Sequence, residues 1–251
     1  MKIVFASTLL LSLLCASNVL AEAMDNLVER EGLYYMKFSD VPFSGNTSGS
    51  YQGSFRNGKK NGPYVAYFED GRIKAKGTYK DGRADGNITI YYDQKGDRVQ
   101  CTDGKIQKEG SYNLGKKEGI WITYHKNDDP IKACAKEKNI KTRGSYNDDK
   151  KDGMWFNFYE NGGLSMKKFY INEEKEGPFI SYYPNGQLHQ KGAYKDGKSE
   201  GPYVSYHSDG KVKAKGFFKE GKKQGPWDQY FFNGSVDFYF SGNYKDGEKL
   251  D

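Results

Sequence analysis

Large apolar residues are scarce in this chain of 251 residues. Leu, Ile, Val and Phe together number 47, and ten of them fall within the first 20 positions. Too little apolar material remains for a conventional aliphatic core or for a bundle of membrane-spanning helices. A folded protein of this composition needs an extended architecture that buries other side chains between neighbouring units.

Histidine and cysteine are rarer still, with three of each. His125, His189 and His207 have no nucleophile elbow or HExxH run around them, and no His or further Cys accompanies the cysteines at the spacing of metal ligands. The 39 Lys and Arg residues are finely mixed with 33 Asp and Glu residues, without a long basic run. We therefore expect no enzyme activity, no cofactor, no metal and no nucleic-acid partner; contact with an anionic membrane surface stays open.

The N-terminus has the pattern of a secretory signal peptide. Lys2 precedes an apolar run from Ile3 to Leu14, and small or apolar residues lead to a cleavage point after Ala21. The alternative is an uncleaved anchor, for which the run is short and interrupted by Ser and Thr. We expect residues 1–21 to be removed and the mature protein to be periplasmic or secreted.

Glycine and aromatic residues are abundant, with 31 Gly, 21 Tyr, 15 Phe and 3 Trp. They recur with a base period of 24 residues, and longer segments follow the second and third copies. The copies start at Gly53, Gly77, Gly110, Gly144, Lys168, Gly192 and Gly216, with a partial copy from Gly242. We number positions within each copy from these residues. Residues 53–251 form the repeats, and residues 22–52 form an N-terminal segment with a capping hairpin around Tyr34 to Gly45.

Three aromatic columns run through the copies. Position 3 holds Phe55, Tyr79, Tyr112, Tyr146, Tyr170, Tyr194 and Phe218; position 12 holds Tyr64, Trp121, Trp155, Phe179, Tyr203 and Trp227, with Ile88 in the second copy; position 15 holds Tyr67, Tyr91, Tyr124, Phe158, Tyr182, Tyr206 and Tyr230. If the strand is regular, positions 12 and 15 lie on opposite faces of a sheet. Either both columns are structural, with one roofed by lysine stems such as those of Lys74, Lys76, Lys195 and Lys213, or the position-12 residues form an exposed stripe that binds a partner.

Two turn signals in each copy flank short alternating runs, a pattern typical of hairpins. The first is exemplified by Asn57-Gly58 and the second by Asn161-Gly162, and both suit type I′ geometry. The sequence therefore predicts an all-β, elongated antiparallel array of β-hairpins. Where Asp149, Lys168 and Glu173 replace expected glycines, we expect an altered loop or local strain, worst at Glu173.

Two cysteines remain after removal of the signal peptide. Cys101 and Cys134 lie 9 and 10 residues before the first glycine of the next copy. Equivalent places in adjacent copies lie side by side, so an oxidising compartment favours a disulfide between them, with two separate thiols as the alternative.

The run Gly-x-aromatic-x-x-Gly-Lys-x-x-Gly, followed by an aromatic pair and Asn/Asp-Gly, resembles the MORN repeat in its bacterial variant form, most clearly from Gly53 to Gly71 and from Gly192 to Gly210. The stretch from Leu27 to Gly45 is similar to the start of YwqK-family antitoxins. These resemblances imply a MORN-like meander that acts as a scaffold. We expect an exported scaffold that binds a protein at the cell envelope, with toxin neutralisation or carbohydrate and cell-wall binding as alternatives.

Overall fold

The chain is built almost entirely from short and medium β-strands. The computed structural model describes residues 20–95, 104–126 and 140–250. Its strands are β1 Glu22–Ala23, β2 Leu27–Arg30, β3 Leu33–Met36, β4 Gly45–Ser48, β5 Tyr51–Arg56, β6 Lys59–Tyr67, β7 Ile73–Lys80, β8 Arg83–Ala84, β9 Gly86–Tyr91, β10 Ile106–Asn113, β11 Lys116–Tyr124, β12 Ile140–Asn147, β13 Lys150–Lys151, β14 Gly153–Phe158, β15 Leu164–Ile171, β16 Glu174–Tyr182, β17 Leu188–Lys195, β18 Lys198–Tyr206, β19 Val212–Lys219, β20 Lys222–Gln229, β21 Gly242–Lys245 and β22 Glu248–Lys249. A 3₁₀ turn spans Met24–Asn26.

The strands from β4 to β22 pair in chain order to form one meandering sheet. Two pairs, β8 with β9 and β13 with β14, are each a single strand that one residue interrupts. With each such pair counted as one strand, every strand is antiparallel to the strand before it. Strand β1 adds to the sheet edge parallel to β4, whereas β2 and β3 form a separate hairpin. The predicted all-β hairpin array is therefore confirmed.

The turns along one edge of the sheet have type I′ geometry. In each, two successive residues have positive φ, such as 49° and 75° at Asn57 and Gly58. Asp149 and Glu173 keep this geometry without glycine, at φ 70° and 78°, so the loop is not altered. Their carboxylates accept hydrogen bonds from the backbone N–H groups of Lys117 and Lys151, at 2.8 and 2.5 Å, which offsets the unfavourable conformation.

The turns along the other edge differ from the type I′ geometry that the sequence predicts. In the loop at Asn161-Gly162 only the glycine is left-handed, at φ 83°. The N–H of Tyr159 bonds to the carbonyl of Gly163, and the N–H of Gly162 bonds to that of Tyr159, so three residues form the loop. Asn161 does not have a positive φ, and its side chain accepts the N–H of Gly163 at 2.9 Å, which stabilises the turn locally.

The N-terminal segment lies over the first copy of the repeat. The ring of Tyr34 meets that of Phe55 edge-on at 5.0 Å, and the ring of Phe43 lies 5.7 Å from it. Backbone bonds join Tyr34 to Gly58 and Gly58 to Phe43. These contacts cover the apolar end of the sheet that the first copy would otherwise expose.

Two sequence predictions concern residues outside the described ranges. These are residues 1–19 of the predicted signal peptide and the predicted disulfide between Cys101 and Cys134. Within the described ranges, the chain forms no helix long and apolar enough to cross a bilayer.

Candidate binding surfaces

Positions 3 and 12 pack together into one column of rings along a face of the sheet. Trp155 lies between Tyr146 and Tyr170, at centroid distances of 5.1 and 6.3 Å and in edge-to-face geometry. Trp121 repeats this arrangement between Tyr112 and Tyr146. Each ring from one copy therefore covers the next, which is how a sheet without a second layer buries apolar surface. We call the side chains of positions 3 and 12 the ring column.

Each tryptophan lies flat against the first glycine of its own copy. A Cβ added to Gly110, Gly144 or Gly216 would lie 2.2–2.3 Å from an indole carbon of Trp121, Trp155 or Trp227. Each indole Nε1 also donates to the backbone carbonyl of position 2, in all three cases at 3.1 Å. Position 1 is therefore glycine in these copies because the ring fills the space of a side chain.

Lysines at position 8 lie over the ring column. Lys117 Nζ is 5.2 Å from the ring centroid of Trp121 and 4.6 Å from that of Tyr146. The contact with the position-3 ring of the next copy recurs for Lys60, Lys151, Lys175 and Lys223. Lys151 and Lys223 also lie over the tryptophan of their own copy. Burial lowers the pKa of Lys60 and Lys223, because the rings exclude water from their ammonium groups. These lysines complete the column as cation–π lids.

This geometry is that of a repeat, and the comparisons with known proteins agree. A family model described as a MORN repeat variant matches residues 60–81, 151–172, 175–196 and 199–220. Four stretches of the chain are similar to the MORN repeat. MORN repeats are generally non-enzymatic scaffolds for contacts with proteins or membranes. No curated protein matches the chain, and the resemblance to YwqK-family antitoxins is not confirmed.

The position-12 residues of the ring column do not form an exposed stripe. Trp121, Trp155 and Trp227 are only 3%, 7% and 3% exposed, Tyr64 and Phe179 are also buried, and Tyr203 is half-buried. These residues therefore lack the exposure that the stripe hypothesis requires, because the position-3 rings and the position-8 lysines cover them. A carbohydrate site on the tryptophans loses its basis for the same reason.

The position-15 residues point to the other face of the sheet. Tyr67 and Tyr124 donate their hydroxyls to Gln52 and Glu109, which immediately precede the glycines of position 1 and so face away from the ring column. Tyr91 and Tyr124 are buried, and the remaining five are half-buried. Of the four lysines predicted as lids, Lys74 and Lys76 place their ammonium groups over the rings of Phe68 and Tyr91. Lys195 and Lys213 make no cation–π contact within the described ranges.

The three histidines lie where a structural role accounts for them. His125 and His207, at position 16, bond through Nε2 to backbone carbonyls of the next copy at 3.0 and 2.9 Å. Tyr159 and Tyr183 make the same bond with their hydroxyls. His189 packs on the ring of Tyr183, and burial, followed by the charge of Lys213, lowers its pKa. His125 and His207, like the two tyrosines, therefore join adjacent copies along the sheet edge.

A cluster of exposed aromatic residues marks the C-terminal end of the array. Its members are Phe231, Phe232, Phe238, Tyr239 and Phe240, and we call it the aromatic end cluster. Phe238 and Tyr239 are 82% and 79% exposed. Their loop is held in place, because the buried Asp237 accepts the N–H of Tyr239 at 3.1 Å and Lys249 donates to the carbonyls of Phe238 and Tyr239 at 3.0 Å. Sequence reasoning missed this cluster, since Tyr230 and Phe231 continue the columns of the earlier copies.

Proposed function

We propose that this protein is an exported, non-enzymatic scaffold that holds a protein partner at the cell envelope. The aromatic end cluster carries the proposal. Large apolar side chains that stay exposed together on a fixed loop mark interaction sites, and aromatic residues dominate the binding energy of protein interfaces. Export rests on the signal peptide predicted for residues 1–21.

A fixed backbone favours a protein contact in a second way. The loop of the aromatic end cluster is bonded to Gln229 through the backbone N–H of Asp237 at 2.8 Å, and Ser241 bonds to both residues. The rings are therefore presented without a large cost of ordering the loop when a partner binds. A partner with an apolar pocket can bury the exposed surface of these rings when it binds.

Crosslinked capture from the envelope fraction tests the proposal. The full chain is compared with a variant carrying Phe238→Ser and Tyr239→Ser, two residues whose side chains are largely exposed. The matched control carries Phe38→Ser and Val41→Ser, which remove exposed apolar side chains at the N-terminal end. We expect the wild type and the control to capture the same partner, and the end-cluster variant to bind it about tenfold or more weakly.

Equal capture by both variants would remove the aromatic end cluster as the contact. Flotation with vesicles of anionic phospholipid adds a second arm: if the wild type floats and the end-cluster variant does not, the cluster binds membranes and the protein proposal is wrong. Toxin neutralisation, the alternative that the antitoxin resemblance suggests, is a narrower form of the same proposal. It requires that the captured partner be toxic when it is expressed alone.

A further inference from the structure

A row of alternating cationic and apolar side chains crosses the face opposite the ring column. Its members are direct cross-strand neighbours from β11 to β19: Ile122, Arg143, Phe156, Lys167, Ile180, Lys191, Val204 and Lys215. Each cation immediately precedes position 1 of its copy, so it points away from the ring column. The four apolar members are half-buried, and we call the whole set the cation row.

Among the described residues, three of these four cations have no ionic partner. Arg143, Lys167 and Lys191 lie within 4.0 Å of no described carboxylate, whereas Lys215 pairs with Asp228 at 3.2 Å. Two acidic side chains on the same face are hydrogen-bonded to turns of the next copies. Glu176 and Glu200 accept the backbone N–H groups of the next copies' turns at 2.9 and 2.8 Å. The centre of the row therefore carries an uncompensated positive charge.

The fold does not require a cation at this place in the repeat. Copies 1 and 3 have Gln52 and Glu109 there, and these residues bond to the position-15 tyrosines without disturbing the strands. Four cations in succession occur only in copies 4 to 7. Packing of the repeat therefore does not explain the row.

The spacing of the cations selects among extended ligands. Successive cations are two strands apart, about 9.6 Å. A polyproline II segment has three residues per turn and a rise of about 3.1 Å, so every third side chain recurs on one side after about 9.3 Å. A β-strand repeats on one side after about 6.8 Å, which does not match. Over the three intervals between the four cations, the repeat of a polyproline II segment is shorter than the cation spacing by about 1 Å. The spacing of acidic residues seven apart in an α-helix is longer than the cation spacing by about 3 Å.

We propose that the cation row binds a polyproline II segment that carries an acidic side chain at every third residue. The carboxylates meet Arg143, Lys167, Lys191 and Lys215, and the intervening residues rest on Phe156, Ile180 and Val204. The charge of the ligand complements the unpaired cations, and its extended backbone needs no open strand edge. The site shares no residue with the aromatic end cluster, so either proposal can fail alone.

A labelled peptide with the sequence (Glu-Pro-Pro)5 tests the proposal by fluorescence anisotropy on the full chain. We expect saturable binding that weakens as salt is added. The variant with Lys167→Gln and Lys191→Gln should bind about tenfold more weakly, because two ion pairs are lost. The charge-matched control, Lys37→Gln with Lys80→Gln, lies in the N-terminal part of the chain and should bind like the wild type.

Two further ligands test the spacing. One has the same composition arranged as a block of five Glu followed by ten Pro, and the other is a helical peptide with Glu seven residues apart. Both should bind several-fold more weakly than (Glu-Pro-Pro)5 if the period matters. Equal binding of either peptide, or of polyphosphate, would overturn the proposal in favour of a general affinity for anions. Absence of saturable binding, or equal loss in the two double variants, would also overturn it.

Discussion

Replacement of Gly144 by alanine tests the close packing of tryptophan against glycine. The added Cβ would lie 2.2 Å from Cδ2 of Trp155 and 2.3 Å from its Cε2, distances that no unstrained contact allows. The indole cannot simply turn aside. It lies between the rings of Tyr146 and Tyr170, and its Nε1 donates to the carbonyl of Ser145 at 3.1 Å. The Nζ atom of Lys151 lies 5.1 Å from the centroid of the indole ring. Either the ring leaves its place in the column or the two strands separate.

The expected loss of stability follows from these contacts. Forcing a methyl group into a packed interior costs about 1–3 kcal/mol. Displacement of the indole forfeits its hydrogen bond, about 1 kcal/mol, and weakens two ring contacts worth about 0.5–1.5 kcal/mol each. We therefore expect the Gly144→Ala variant to lose about 3 kcal/mol or more of its free energy of unfolding. Urea unfolding followed by tryptophan fluorescence and far-ultraviolet circular dichroism measures it.

Two further variants separate this cause from a general effect of removing glycine. In Gly163→Ala the added Cβ meets only the side chain of Asn161, at 3.1 Å, so the loss should stay below about 1 kcal/mol. A Trp155→Phe background should recover part of the loss, because copy 5 already combines a side chain at position 1, Lys168, with a phenyl ring at position 12. If Gly144→Ala unfolds at the same urea concentration as Gly163→Ala, the indole contact does not determine the glycine.

Three smaller effects are also expected. Leu114→Asn should raise the free energy of unfolding by about 0.5–1 kcal/mol in urea melts, because Leu114 holds φ 47° and Asn tolerates it better; an unchanged or lower stability would contradict this. Burial raises the pKa of Tyr64 to about 12, so the unfolded chain loses that proton first and stability should fall from about pH 10 toward pH 12. Tyr64→Phe should flatten that decline. Asn161→Ala removes the 3.1 Å bond from its Nδ2 to the carbonyl of Pro184 and should lower the thermal midpoint by a few degrees, unlike Glu160→Ala.

The fold followed from the sequence because backbone and side-chain signals agree in every copy. Glycine pairs that favour tight turns recur at fixed distances from aromatic residues, and only a hairpin array satisfies both. The second turn type was mistaken, since Asn-Gly fits both a two-residue loop and the end of a three-residue loop. The side-chain bond from Asn161 to the N–H of Gly163 decides between them, and no local pattern reports it.

Burial of the tryptophans could not be predicted from one copy alone. The cover over Trp155 comes from Tyr170 of the following copy and from the ammonium group of Lys151. A lysine in a turn rich in Gly and Lys is normally predicted to be exposed to solvent. Only the three-dimensional positions of the rings show that the side chain of Lys151 extends over the ring column. The aromatic end cluster was missed for the converse reason, because residues after copy 7 leave Phe231 and Phe232 more than half exposed, which the sequence of copy 7 does not reveal.

A sheet of one layer must cover both of its faces with its own side chains, and this requirement separates stability from binding. On one face the rings and the position-8 lysines, such as Lys117, satisfy one another, so little is left there for a partner. On the other face the copies differ in charge at the residue before position 1. Strand pairing is maintained with Gln52, Glu109 or Lys191 at this place, so the fold does not determine the charge there. Positions whose side chains the fold does not determine are free to vary for ligand binding, and the seventh copy is followed by aromatic residues that stay exposed. We therefore expect binding at the cation row and the aromatic end cluster, with the ring column stabilising the sheet that carries them.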